Sequence, residues 1–110
     1  KATKVANKRL KKAKNYLVSK EKDKFYIEIS QALWGYISDK FSIPLSDLSM
    51  DSVKEALTRQ NVADEIISDF IRTLNNCEFA RFAPGDESLT MDKIYKEASD
   101  IISKTENELK

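Results

Sequence analysis

The residue whose type most readily suggests chemistry is Cys77, the only cysteine of the chain. It stands in the stretch LNNCEFARFAPGDESL, followed by an acidic residue, Glu78, and three positions later by Arg81. A reactive thiol needs a lowered pKa, which a helix N-terminus or a neighbouring cation can supply. Cys77 falls instead on the apolar stripe near the C-terminal end of a predicted helix, where the helix dipole disfavours a thiolate. We therefore expect a buried structural cysteine, with Arg81 pairing with Glu78 or capping helix carbonyls.

Two pairs of adjacent acidic residues, Asp64–Glu65 and Asp86–Glu87, raise the question of a metal site. The first pair falls where a helix N-terminus favours negative charge, and the second falls in a turn. A calcium-binding EF-hand would need a D-x-[DN]-x-[DN]-G loop, which the chain does not contain. The chain also lacks histidine, the usual general base and a frequent metal ligand. We therefore predict no metal, no cofactor and no enzymatic activity.

The charge of the chain is unevenly distributed, although its net value is only +1. Residues 1–24 contain ten Lys or Arg and two acidic residues, which is a balance of +8. Residues 25–110 contain nine Lys or Arg and sixteen acidic residues, which is a balance of −7. Such a polarised distribution needs a cause, and the excess positive charge lies in the N-terminal segment.

The N-terminal segment has the pattern of a basic amphipathic helix. Apolar residues recur at helical spacing on one side, at Ala6, Leu10, Ala13 and Leu17. The candidate membrane- or partner-facing residues lie on the opposite side, at Lys4, Lys8, Lys11 and Lys12. We expect residues 1–22 to form a juxtamembrane-like helix that packs on a helical bundle formed by residues 23–110, within a single domain.

The lysine-rich side permits three interpretations. It could be an ordinary solvated surface. It could contact nucleic-acid phosphates, although only Arg9 offers a fork for bases and the acidic remainder of the chain repels phosphate. It could lie beside a membrane, because Lys and Arg concentrate on the cytoplasmic side of a span and anionic lipid attracts them. The first residue is Lys1 rather than Met, so we expect a longer parent protein, which favours the third interpretation.

Helical periodicity extends over the rest of the chain and predicts an all-α compact bundle of about five helices without a β-sheet. Two Gly and two Pro are too few for the turns of a multi-stranded fold. The pattern places one helix end at about Ser19, N-caps at Asp23, Ser49 and Asn61, a turn over 83–88, and the start of the last helix near Thr90.

The second predicted helix is apolar over so wide an arc that we place it at the centre of the bundle. Its core aromatic residues are expected to be Trp34 and Tyr36, with Phe70 joining them from a later helix. Gly35 costs this helix about 1 kcal/mol relative to alanine. A glycine at such a position predicts the close approach of another backbone.

Three stretches of the chain carry a family pattern: SQALWGYISDKFSIPLSDLSMDSVKEAL, LNNCEFARFAP and MDKIYKEASDII. The most specific part is a C-E-x-A-R-[FY]-x-P-like run, matched by Cys77, Glu78, Ala80, Arg81, Phe82 and Pro84. An aromatic A-L-W-x-Y-x-x-x-K-F-like run is matched by Ala32, Leu33, Trp34, Tyr36, Lys40 and Phe41. With these runs the chain resembles, over nearly its whole length, the C-terminal domain of the BatD family, the Bacteroides aerotolerance or oxygen-tolerance proteins.

The resemblance implies a longer protein with a signal peptide, extracytoplasmic β-rich domains and one transmembrane helix, followed by this domain on the cytoplasmic face of the bacterial inner membrane. It also implies partners of the same operon type, namely von Willebrand A-like proteins, tetratricopeptide-repeat proteins and a MoxR-type ATPase. It supplies no catalytic residue. We therefore expect a non-catalytic protein-interaction module. A nucleic-acid-binding domain is the alternative, and a redox sensor based on Cys77 is less favoured.

Overall fold

The computed structural model describes residues 2–82 and 87–109 of the 110-residue chain. Within these ranges the chain is helical, with a single short 3-10 turn at Leu45–Asp47 and no strand. The α-helices are α1 (Ala2–Val18), α2 (Lys22–Phe41), α3 (Met50–Arg59), α4 (Asp64–Phe82) and α5 (Glu87–Leu109). The predicted all-α bundle of about five helices is confirmed.

The central helix of the bundle is α2, which packs against α1, α4 and α5. Its apolar residues extend round more than one side of the helix, so that three neighbours can each bury a part of them. The buried apolar side chains of α2 are Phe25, Tyr26, Ile29, Ala32, Leu33, Tyr36 and Ile37. Each large one contributes about 1.5–3 kcal/mol of transfer free energy, which makes α2 the main source of the hydrophobic core.

The first helix, α1, joins the same core through small side chains. Its buried residues are Ala2, Ala6, Leu10 and Ala13. Alanine loses no side-chain entropy on folding and lets neighbouring backbones approach closely, which suits the packing of α1 against α2 and α5. Leu17, which the sequence pattern places on the same stripe, is only partly buried. Since this stripe faces inward, the lysines on the opposite side of α1 are held outward.

The start of α3 agrees with the sequence. Ser49 is the N-cap, and its hydroxyl accepts a hydrogen bond from the backbone N–H of Ser52 at 3.1 Å. The Ser52 hydroxyl in turn accepts the backbone N–H of Ser49 at 2.8 Å, which completes a capping box.

Asn61, predicted to cap α4, ends α3 instead. It has a φ of 60°, a left-handed conformation that asparagine tolerates better than most residues. The N–H of Asn61 donates to the carbonyl of Thr58 at 3.0 Å, and the N–H of Val62 donates to that of Leu57 at 3.2 Å. This is a Schellman ending, and it uses Asn61 for the exit from α3. At the N-terminus of α4, the backbone N–H of Ala63 donates a hydrogen bond to the carboxylate of Glu108, near the C-terminus of α5, at 3.0 Å.

Two other predicted helix starts are also wrong. Asp23 lies in the first turn of α2, and the N-cap is Glu21, which makes no side-chain cap hydrogen bond. The reason is that a Schellman ending at Lys20 (φ 60°) closes α1 immediately before Glu21, so α2 begins at once. The last helix begins at Glu87 rather than near Thr90. The part of the predicted turn over 83–86 lies outside the described residues.

The predicted aromatic core is correct for Tyr36 and Phe70 but wrong for Trp34. The rings of Tyr36 and Phe70 are buried and stacked, with centroids 6.4 Å apart. Trp34 is only partly buried. Gly35 marks no close approach either, because a Cβ built on it would meet nothing within 4 Å. Both differences have one cause, since none of the helices that the structure describes covers this side of α2.

A hydrogen-bonded carboxylate links α2 to α5. The Tyr36 hydroxyl donates to the carboxylate of Glu106 at 2.5 Å, and the Lys40 ammonium lies 3.0 Å from the same group. The hydrogen bond from Tyr36 lowers the pKa of Glu106, Lys40 adds to this, and desolvation opposes it. Burial, followed by the bond to Glu106, raises the pKa of the Tyr36 hydroxyl.

We expect this contact to stabilise the fold at neutral pH and to stop doing so in acid. A carboxyl whose pKa is lower in the folded than in the unfolded state contributes stability that is fully present above its unfolded pKa, roughly 4.3, and is lost as the pH falls through the folded pKa. Glu106→Gln should therefore cost about 1.5–3 kcal/mol in the free energy of unfolding at neutral pH and clearly less at about pH 3. Urea titrations at the two pH values measure both costs.

The control for this experiment is Asp100→Asn, which removes an exposed carboxylate from the same helix. It should change the free energy of unfolding by less than about 0.5 kcal/mol at either pH. An equal cost of Glu106→Gln at both pH values would show that the charge of Glu106 does not contribute to stability.

Candidate interaction surfaces

The outward side of α1 carries four exposed lysines, which we call the lysine face: Lys4, Lys8, Lys11 and Lys12. Their spacing of three, four and seven residues places them together on one side of the helix, as predicted. Lys4, Lys8 and Lys11 make no ion pair with any residue that the structure describes. Lys12 lies 3.7 Å from a carboxylate oxygen of Glu28. The lysine face is therefore largely uncompensated by the acidic residues within the described part of the chain.

Glu28 holds α1 on α2 and was not singled out by the sequence. It is 7% exposed, and its carboxylate lies 3.5 Å from the Arg9 guanidinium as well as close to Lys12. Arg9 also donates to the side-chain oxygen of Gln31 at 2.7 Å. A carboxylate so deeply buried would be costly without cationic partners, so these contacts are part of the α1–α2 packing. The feature of the sequence that could have indicated a buried Glu28 is its position between two apolar residues, Ile27 and Ile29.

An open groove runs between α1 and α2 and reaches the 3-10 turn; we call it the α1–α2 groove. It has a volume of about 310 Å³, at the lower limit of small-molecule pockets, which is about 300 Å³. Its exposed apolar residues come from two elements, with Val5 43% exposed on α1 and Leu45 65% exposed in the 3-10 turn. Trp34 and Gly35 line it from α2.

The polar residues of the groove offer little chemistry. Its titratable residues are Arg9, Tyr36 and Asp39. Arg9 is bonded to Gln31, and the Tyr36 hydroxyl is bonded to Glu106. General acid–base catalysis needs a donor or acceptor free to reach a substrate, and Asp39 alone remains. The groove is better suited to receiving apolar side chains than to catalysing a reaction.

The end of α4 carries the residues of the predicted family signature. Glu78 and Arg81, expected to pair, form no ion pair with each other in the described part of the chain. The Arg81 guanidinium instead lies 5.4 Å from the ring centroid of Phe82. Phe82 and Phe79 are largely exposed, and Phe79 also borders a shallow cleft between α4 and α5. Pro84, the last residue of the signature, lies outside the described residues.

The thiol of Cys77 is buried, as the sequence predicts. The residue is 3% exposed and faces the core from α4. Burial, reinforced by the charge of Glu78, raises the pKa of the thiol to about 12, and the opposing effect of Arg81 does not offset this. At neutral pH the sulfur is therefore protonated and inaccessible, and a protonated thiol is neither a nucleophile nor a metal ligand.

Residues 2–82 and 87–109 contain neither a group of metal ligands nor a helix able to cross a membrane. In these ranges no three Cys, Asp or Glu residues are grouped so that they could hold a metal ion. Asp64 and Glu65 lie in the first turn of α4, where the helix dipole favours them, whereas Asp86 lies outside the described residues. None of the helices described has both the length and the apolar character that a membrane crossing requires.

Comparisons with known proteins leave the resemblance to the BatD family as an expectation from sequence motifs. No protein-family model, no curated protein and no solved structure matches the chain.

We expect the Cys77 thiol to resist alkylation in the folded protein. A pKa of about 12 lowers the thiolate fraction at neutral pH by more than about a hundredfold relative to an ordinary cysteine, and burial blocks the reagent. Iodoacetamide labelling followed by mass spectrometry should be slow for the native protein and fast in concentrated guanidinium chloride. The matched control is Ser68→Cys in a Cys77→Ala background, which places a thiol at an exposed position of α4. If Cys77 in the native protein were labelled as fast as the control cysteine, the structural role of Cys77 would be overturned.

Proposed function

We propose that the chain is a non-catalytic protein-interaction module held on the cytoplasmic face of the bacterial inner membrane, as part of a longer BatD-like aerotolerance protein. The observation that carries this proposal is the lysine face. Three of its four lysines have no ion pair within the described residues, and the helix that bears them is fixed by its buried alanine stripe. The chain thus presents its positive charge as a rigid surface of one helix.

An anionic lipid surface is the ligand that such a face fits best. A lysine near an anionic membrane contributes about 1 kcal/mol, without any need for a fixed geometry. Three unpaired lysines would together contribute about 3 kcal/mol, which is a factor of roughly 150 in an equilibrium constant. That is sufficient to orient a domain already tethered to the membrane, but modest for recruiting one from solution. The magnitude therefore agrees with a juxtamembrane position in a longer protein.

Protein interaction, rather than catalysis, is supported by what the exposed surfaces offer. The only thiol is buried and protonated, and the titratable residues of the α1–α2 groove are mostly engaged within the fold. The exposed apolar side chains, by contrast, are positioned to contact another protein. The proposed partners, von Willebrand A-like proteins, tetratricopeptide-repeat proteins and a MoxR-type ATPase, come from the family resemblance.

Nucleic-acid binding is the second candidate, since phosphates could also contact the lysine face. Sequence-specific readout would need a guanidinium or an amide that reaches base edges. Arg9 is the only arginine of α1, and its guanidinium is bonded to Gln31 and lies beside Glu28. The acidic remainder of the chain adds repulsion, so this candidate is less favoured.

We expect the triple variant Lys4→Glu/Lys8→Glu/Lys11→Glu to lose binding to anionic vesicles. Charge reversal replaces three attractions of about 1 kcal/mol each with repulsions, so the partition coefficient should fall by at least about a hundredfold. Co-sedimentation with vesicles of phosphatidylglycerol and phosphatidylcholine, at low ionic strength, measures it. Vesicles of phosphatidylcholine alone should bind neither protein, and added salt should weaken the binding of the unmodified chain.

The matched control reverses three exposed lysines elsewhere, in Lys54→Glu/Lys93→Glu/Lys104→Glu, and changes the net charge by the same amount. It should retain most of the vesicle binding if the lysine face is the contact. An equal loss of vesicle binding in the two variants would show that binding depends only on net charge, and would overturn the proposal. A salt-dependent affinity for duplex DNA that exceeds the affinity for vesicles would favour the second candidate instead.

A further inference from the structure

Apolar side chains from three elements line part of the α1–α2 groove. Single exposed apolar side chains are normal on a protein surface, but here two of them line one concavity together with the partly buried Trp34. Val5, Trp34 and Leu45 come from α1, α2 and the 3-10 turn respectively. Gly35 lies between them without a side chain, and the space where its Cβ would stand is open. A partner side chain could therefore enter the groove against α2.

The outer side of α2 extends this apolar surface along the helix. Ile27 is partly exposed and precedes Trp34 by seven residues, which is about two helical turns or roughly 10 Å. Residues at this spacing lie on the same side of a helix. Helices that dock in grooves place their anchors at the same spacing of three, four and seven residues. The length and spacing of the surface therefore suit an amphipathic helix.

The charges beside the groove determine which amphipathic helix fits. Arg9 lines the groove, while Lys8 and Lys12 each follow a groove residue of α1 by three positions and so lie beside it on the helix surface. Asp39 is the acidic lining residue in the described part of the chain. Arg9 and Lys12 both lie beside the carboxylate of Glu28, whereas Lys8 has no ion pair with a described residue. The α1 side of the groove thus keeps a net positive charge, and a partner with carboxylates on that side is complementary to it.

We propose that the α1–α2 groove binds an amphipathic helix of a partner protein, with its apolar side in the groove and acidic residues toward α1. This inference rests on the proposed function, since it specifies what the interaction module recognises. Lys8 and Lys12 belong to both the lysine face and the groove margin, and of the two only Lys8 has no ion pair with a described residue. The acidic helix and the anionic lipid surface therefore compete for Lys8, and binding of one weakens binding of the other.

The test uses a synthetic amphipathic peptide of about five helical turns, with leucines at helical spacing and glutamates on the other side. A charge-reversed peptide with lysines in place of the glutamates is its counterpart. Trp34 is the only tryptophan of the chain, so its emission reports on the groove directly. The acidic peptide should shift the Trp34 emission to shorter wavelength with saturation. The basic peptide should bind at least about tenfold more weakly, as anisotropy of fluorescein-labelled peptides would show.

The variant Gly35→Leu fills the groove without meeting a neighbouring atom at Cβ, and replaces a poor helix former. It should keep its helical circular dichroism and its stability to urea, and should lose at least about tenfold in affinity for the acidic peptide. Ser68→Leu, which adds the same side chain at an exposed position of α4, should keep that affinity.

Several results would overturn the inference: no binding, equal affinity for both peptides, or unchanged affinity of Gly35→Leu. A shift of the Trp34 emission with protein concentration alone would assign the groove to a second copy of the chain, and would also overturn it. Failure of the peptide test together with intact binding to anionic vesicles removes the groove as a docking site and leaves the proposed function standing. Failure of vesicle binding alone removes the membrane surface and leaves the groove.

Discussion

Burial of the small apolar stripe of α1 against α2 and α5 is the constraint on which the surface features depend. Ala2, Ala6 and Ala13 let α1 lie close to its neighbours, and Leu10 adds about 1.5–3 kcal/mol of transfer free energy. Since one side of α1 must face inward, its lysines must face outward, and their direction is fixed by packing rather than by charge. The same packing leaves Val5 at the margin of the α1–α2 groove. The lysine face and the groove are thus two results of one packing arrangement.

Two glutamates fix α2 relative to its neighbours. Glu28 meets Arg9 at the boundary with α1, and Glu106 meets Tyr36 and Lys40 at the boundary with α5. Each carboxylate is mostly removed from water and each has a cationic partner, so breaking either contact would leave a partly buried charge uncompensated. A groove between helices held in this way is largely preformed, which lowers the entropic cost of binding a partner helix.

Helical periodicity predicted the number of helices, the centrality of α2, and the burial of Tyr36 and Cys77, because these depend on which residues share a side of a helix. It failed for Trp34 and Gly35, because periodicity cannot tell whether another helix covers that side. Residues at the exposed edge of the wide apolar arc of α2 were therefore wrongly predicted to be buried in the core. The cap predicted at Asn61 failed for a local reason, since the same residue type favours both an N-cap and a left-handed helix end. The groove could not be predicted from the sequence, since it depends on how three consecutive elements, α1, α2 and the 3-10 turn, pack against one another, which periodicity does not specify.

The central claim is that α1, packed into the bundle, presents its lysine face to an anionic membrane. It is tested most directly by the orientation of the domain on a vesicle surface. A polarity-sensitive fluorophore on Asn15→Cys, an exposed position one helical turn beyond Lys11 on the same side of α1, is compared with one on Ser68→Cys of α4, both in a Cys77→Ala background. We predict that phosphatidylglycerol vesicles shift the emission of the label at position 15 to shorter wavelength and leave the label at position 68 unchanged. Equal responses at the two positions, or a response at position 68 alone, would contradict the account.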